Sequence, residues 1–194
     1  MENKKEKCDL RIIKTYEKLR HALSELMKVK PYEDISVIEI CDTAGIKRTT
    51  FYRHFADKRA FLMDAVEKVA DELANLASEK YGKDDLTKYI VGYVREIFIY
   101  LSDKKEIVEN IFKSSGSSNF HEVILAATQK LLVEDLLRGA KKGVSISDST
   151  VAAAAFINGG VANMVASFIK NKDVNIGSLL RELSTILNKL FSID

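Results

Sequence analysis

The sequence holds one proline and nine glycines in 194 residues. That is too few for the close-set turns of a loop-rich β protein, which draw on these two residues for their special backbone angles. Histidine is also scarce. His21, His54 and His121 stand far apart, with no H-E-x-x-H pair and no Cys/His spacing of the kind that holds zinc. There is no G-x-S-x-G elbow, P-loop or G-x-G-x-x-G turn, and the carboxylates are interspersed with lysines, as on a solvated helical surface. No enzyme activity, metal or cofactor is therefore expected. The two cysteines, Cys8 and Cys41, make neither a disulfide framework nor a metal set, and Cys41 reads as a small core residue. Long apolar runs are missing too. The most apolar stretch, Val151–Ile169, is interrupted by Asn158, Gly159, Gly160 and Asn163 and relies on four weakly hydrophobic alanines. It reads as a buried helix, not a membrane span. Residues Met1–Lys7 are mostly charged and carry no apolar signal region, so a cytoplasmic protein without a membrane partner is expected.

What the chain does have is 46 % hydrophobic residues, enough to bury a core. Ala, Leu, Lys, Glu and Ile dominate, and they favour an all-α fold. The net charge is only +2, yet it is unevenly spread. Residues 1–60 carry 14 Lys/Arg against 10 Asp/Glu, and the remainder 16 against 18. A basic head joined to a mildly acidic body suits a nucleic-acid reader attached to something else. Apolar periodicity predicts about nine helices. The first runs from about Asp9 to Val29 and stops before Pro31. A short helix carries Val37, Ile40, Cys41 and Ala44 inward, and a basic one ends near His54. A fourth, capped by Asp57, turns Phe61, Leu62, Ala65, Val66, Val69, Leu73 and Leu76 towards a core and reaches Tyr81-Gly82. Further helices are expected from Asp84 to Leu101, Asp103 to Phe112, Asn119 to Lys142 and Ser147 to Lys170. The last starts at Ile176.

The stretch from Ser36 to Lys58 is the most informative. Ser36-Val37-Ile38-Glu39 has the S-x-x-E form of a capping box, which starts a helix. Gly45 makes a turn, and Lys47-Arg48-Thr49-Thr50-Phe51-Tyr52-Arg53-His54 follows as a short basic helix. Phe51 and Phe55, four apart, share one face and anchor it. The other face offers Arg48 to guanine O6 and N7, threonine hydroxyls and methyls to bases or phosphates, and Tyr52, Arg53 and His54 to the backbone. Lys58 begins the next helix, where free N–H groups already favour a phosphate. A helical hairpin with a solvated basic face is the plainer alternative. Capping box, glycine turn, aromatic anchors and polar face coincide at motif spacing, however, and together they favour a helix-turn-helix that reads the major groove.

This arrangement closely resembles the DNA-binding domain of the TetR/AcrR family of bacterial transcriptional regulators. The family pattern appears as Ile35-Ser36-Val37-Ile38-Glu39-Ile40-Cys41-Asp42-Thr43-Ala44-Gly45-Ile46 followed by Lys47–Lys58. By position, the resemblance implies DNA contacts at Ser36, Val37, Lys47, Arg48, Thr49, Thr50, Tyr52, Arg53, His54 and Lys58. Val37 and Ile38 are apolar where some members place polar base readers, which shifts base reading to the third helix. The loop Lys30–Ile35, Arg48–Tyr52 and Phe156–Gly160 look like the subset that includes dihydroxyacetone-kinase-type regulators.

The resemblance also implies a layout. Residues 1–57 form the helix-turn-helix domain, the fourth helix over 57–80 is a connector, and residues 83–194 bind a ligand and dimerise. The partners are a palindromic double-stranded operator, a second copy joined through the last two long helices, and an unknown small-molecule effector whose binding releases a repressor from its operator. Candidate pocket residues are Tyr89, Tyr93, Phe98, Phe112 and Phe120 with His121, Phe156, Asn163 and Met164. From periodicity alone, each of these and the Leu/Ile stripe of the last helix suits ordinary core packing. The competing reading from another class is a helical dimeric co-regulator of TetR fold without direct DNA binding.

Overall fold

The computed structural model describes residues 2–113, 122, 125, 150–170 and 175–191. Within them lie eight helices and no strand: α1 (Glu2–Val29), α2 (Val37–Ala44), α3 (Arg48–His54), α4 (Lys58–Tyr81), α5 (Leu86–Asp103), α6 (Lys105–Lys113), α7 (Thr150–Lys170) and α8 (Ile176–Phe191). A 3₁₀ turn, Tyr32–Asp34, joins α1 to α2. The helix expected over 119–142 and the serine-rich connection before it lie outside the described residues. Among the described residues no helix is long and apolar enough to cross a membrane.

Helix ends follow side-chain chemistry. Asp57 Oδ1 accepts the Ala60 N–H at 2.7 Å and starts α4. Asp85, not the neighbouring Asp84, caps α5 by accepting the Lys88 N–H at 2.9 Å. With Asp85 as the cap, Leu86 is buried as the first helical residue. Asp103, expected to open the sixth helix, instead closes α5, with Lys104 as the C-cap. Asn175 Oδ1 accepts the Ser178 N–H at 3.0 Å and opens α8.

The chain divides into two compact units. The first gathers the residues up to Ala65 together with α6, and the second holds residues 66–104 with α7 and α8. Assigning everything beyond residue 83 to one domain therefore needs revision at α6. Helix α6 packs on α1, buries Val108, and sends the Asn110 amide to Met27 O (3.0 Å) and Lys28 O (2.8 Å). These carbonyls lie in the last turn of α1, where no further helical N–H can reach them.

The core of the first unit comprises Leu19, Ala22, Leu23, Met27, Ile35, Ile40, Cys41, Phe51, Phe55, Phe61 and Leu62. In the second unit α5 packs on α8, and Tyr89, Ile90, Tyr93, Val94 and Phe98 meet Ile157, Val161, Val165, Leu180, Leu183 and Leu187. The stretch of α4 in this unit turns Ala70, Ala74 and Ala77 inward. Leu73, from the stripe expected to face the core, is only partly buried.

Candidate nucleic-acid interface

The start of α2 is fixed by a reciprocal cap. Glu39 N–H donates to Ser36 Oγ at 3.2 Å, and Glu39 Oε2 accepts from Ser36 N (2.9 Å) and Ser36 Oγ (2.8 Å). Lys30 adds its ammonium, donating to Glu39 Oε1 at 2.6 Å and to Asp34 O at 3.0 Å. The Lys30 bond first, and the two Ser36 bonds after it, hold the Glu39 carboxyl down at about 2. At the other end Gly45 takes the left-handed conformation, φ 63° and ψ 35°, which costs a residue without Cβ nothing. Its N–H returns to Asp42 O, and Ile46 N–H donates to Cys41 O at 2.9 Å. Cys41 is fully buried, and burial, reinforced by Asp42, pushes its thiol up.

The turn delivers a seven-residue helix, too short to hold its shape alone. It is held by its aromatic face. Phe51 is fully buried and Phe55 nearly so. Phe61 of α4 meets both rings, at centroid distances of 5.5 and 4.9 Å, and Tyr16 of α1 lies 5.0 Å from Phe55. Fixing that face turns the other outward: Lys47, Arg48, Thr49, Tyr52 and Arg53 are exposed. Tyr52 is 56 % exposed. Arg20 of α1 ties to Asp64 of α4 at 3.2 Å, a second brace across the same cluster.

The exposed side chains are a bidentate guanidinium, a second guanidinium, an ammonium, a hydroxyl with a methyl, and a phenol. Together they can donate to guanine edges and to phosphate oxygens from one short rod. Thr50 is half-buried. His54 is also half-buried, with its ring edge-on to Tyr16 at 5.3 Å. Val37 is half-buried, whereas Ile38 is 49 % exposed. Ser36 is exposed, but Glu39 engages its hydroxyl as donor and as acceptor.

Lys58 differs most from expectation. Its ammonium donates to Tyr32 O (2.9 Å), Glu33 O (3.1 Å) and Ile35 O (2.7 Å), so its three N–H bonds are directed at the protein's own turn. Burial lowers the pKa of this ammonium, against the raising influence of Glu33 and Asp34. Motif position could not reveal this, because the acceptors are main-chain atoms more than twenty residues away.

In the second unit Tyr89, Tyr93 and Phe98 are buried core residues, and Phe98 stacks edge-on with Phe168 at 4.9 Å. Met164 packs against the same core. Phe156 is 70 % exposed. Asn163 is exposed and returns its amide to Gly159 O at 3.0 Å. Neither lines an interior surface of the single chain, because α7 turns Ile157, Val161 and Val165 inward instead. Asn158 is buried, with its amide donating to Leu125 O at 2.8 Å. Phe120 and His121, and the side chain of Phe112, lie outside the described residues. A buried carboxylate that periodicity did not single out, Glu96, accepts from Lys80 Nζ and Tyr81 Oη, each at 3.0 Å. Among the described residues no group of three or more His, Cys, Asp or Glu could hold a metal ion.

Residues 19–65, which include the capped helix, the glycine turn and the basic helix, match the family described as bacterial regulatory proteins, tetR family. The match spans 47 of the chain's 194 residues, and it is this segment that is similar to the tetR family. The chain is 34 % identical over 79 residues to the HTH-type dhaKLM operon transcriptional activator DhaS of Lactococcus lactis subsp. lactis (strain IL1403), a match covering 41 % of this chain and 42 % of that protein. The aligned stretch is thus well under two thirds of the relative's length. Over most of its length the chain resembles the solved structure of a dihydroxyacetone kinase operon activator DhaS, with TM-score 0.60, 21 % identity and coverage of 92 % and 97 % of the two chains. It also resembles a transcriptional regulator FadR from Bacillus subtilis in complex with stearoyl-CoA, with TM-score 0.60, 17 % identity and coverage of 89 % and 97 %. At these identities the two structures establish a shared fold.

Proposed function

We propose that this chain is a TetR-type DNA-binding transcriptional regulator that reads a palindromic operator as a homodimer. The observation that carries the reading is the division of α3 into a buried phenyl face and an exposed face bearing Arg48, Thr49, Tyr52 and Arg53. A helix that served only as packing would not spend its whole outer surface on groove-reading groups. Lys47 and Thr50 flank that face, and His54 supports it from the side. One seven-residue helix makes few base contacts, so two copies reading paired half-sites supply the affinity.

The same proposal assigns dimerisation to α7 and α8. Helix α8 buries Leu180, Leu183 and Leu187 in its own core yet leaves Ile186 54 % and Leu190 38 % exposed, and Phe156 on α7 is also open. Apolar groups left out of a core that is already filled favour a second copy as their cover. An effector that acts through the C-terminal unit completes the proposal, supported by the likeness to FadR held with stearoyl-CoA. The sign of control is not a property of the reading helix, and the Lactococcus relative is named an activator.

The test is a mobility-shift titration against duplex DNA taken from upstream of the protein's own gene. Wild type binds in competition with unrelated duplex, and Arg48→Ala loses about 1–3 kcal/mol together with base preference at one position of each half-site. Indifference of the folded protein to duplex DNA at low salt would leave the co-regulator reading in its place.

A further inference from the structure

Resting on the DNA-reading proposal, we infer that Lys58 is a positioning residue for the reading helix and not a phosphate ligand: it staples the 3₁₀ turn ahead of α2 to the first residue of α4. The staple works in both directions. The Lys58 ammonium reaches three carbonyls of the turn, those of Tyr32, Glu33 and Ile35, at 2.7–3.1 Å. The Tyr32 hydroxyl donates back to Lys58 O at 2.9 Å, and the ammonium lies 4.3 Å from the Tyr32 ring centroid. An ammonium has three donors and no acceptor, and here three acceptors converge on it. Turning Lys58 towards a phosphate would break all three of these bonds.

The position of the staple gives it consequences for DNA. Everything that reads DNA, α2, the Gly45 turn and α3, is chain strung between residues 35 and 58. Fastening the two ends of that segment together sets where α3 stands relative to α1 and α4. The aromatic contacts of Phe51 and Phe55 hold the same helix from beneath, so ends and middle are fixed separately.

The experiment measures operator affinity as a function of salt for wild type, Lys58→Met, Lys58→Arg and Tyr32→Phe, at a temperature where circular dichroism shows each variant folded. A phosphate ligand and a staple predict different slopes. Loss of one phosphate contact lowers the slope of log affinity against log salt by about one. Loss of the staple leaves the slope unchanged and lowers affinity for the operator more than for unrelated duplex, because base contacts demand tighter placement than phosphate contacts. The expected result for Lys58→Met is about tenfold weaker operator binding with the wild-type slope. Tyr32→Phe gives a smaller loss in the same direction, and the two substitutions combine less than additively. Lys58→Arg does not restore binding, because a planar guanidinium cannot converge on three carbonyls as an ammonium does. Three results would overturn the inference: a slope lowered by about one in Lys58→Met, full activity in Lys58→Arg, or a lower melting temperature with unchanged affinity of the folded protein. None of these touches the DNA-reading proposal itself, which fails only if wild type ignores duplex DNA.

Discussion

Replacing Gly92 with alanine sets two opposing effects against each other, and the structure decides the sign. Gly92 lies inside α5, where alanine is ordinarily the better residue by about 1 kcal/mol. Here a Cβ would clash with the Cδ2 edge of the Tyr81 ring, lying 2.6 Å from Cγ and Cε2 and closer still to Cδ2. If the ring stays, the overpacking costs about 1–3 kcal/mol. If it swings away, the Tyr81 hydroxyl gives up its 3.0 Å bond to the buried Glu96 carboxylate, and a hydrogen bond to a charged group is worth about 1.5–3 kcal/mol. At mid-range either loss outweighs the gain in helix propensity, and the net cost of about 1 kcal/mol lowers the melting temperature of a chain this size by about 2–4 °C. Thermal unfolding followed by circular dichroism measures it. The same substitution made in a Tyr81→Ala background should reverse sign, since the ring is then gone and the propensity gain remains. A Gly92→Ala protein that melts at or above wild type, or one whose loss is the same with and without the ring, would refute the reasoning.

Phe51→Ala removes a fully buried ring with three aromatic neighbours and should cost about 3–5 kcal/mol in a denaturant titration, so that operator binding disappears with the folded head. Glu39 binds its proton near pH 2 when folded against an ordinary value of 4.5. Its contribution is therefore complete above pH 4.5 and is lost as pH falls through about 2. Glu39→Gln should melt lower at neutral pH and lose less on acidification across that window, as melting temperatures measured at several pH values will show. Phe156→Glu sets a charge on the exposed face of α7 and should shift the protein towards monomer in sedimentation analysis while leaving its helix content intact.

Local chemistry made the reading segment legible. A Ser with a Glu three places on can close only one kind of cap, a left-handed turn calls for glycine, and two phenylalanines four apart define a face. The boundaries of α2 and α3 follow from these. Where the governing contact lies far along the chain, legibility ends. Lys58 looked like a cation free for phosphate because its acceptors are main-chain carbonyls of residues 32–35. Helix α6 looked like part of the C-terminal body because the α1 carbonyls that Asn110 serves are more than eighty residues away. The inward alanines of α4 leave no sequence signal because Ala70, Ala74 and Ala77 carry too little apolar weight to compete with the adjacent leucines. The first turns of α1, from Glu2, are mostly charged and leave no apolar stripe to register.

The return of α6 to α1 means that the reading head is written in two separate passages of the gene. A graft that moves residues 1–65 onto another effector body carries every exposed side chain of α3 but leaves behind the amide that finishes the end of the first helix and the valine seated beside it. A working hybrid regulator needs two crossovers, with residues 105–113 travelling alongside the head, and recombination by a single cut at the α4 connector selects against itself.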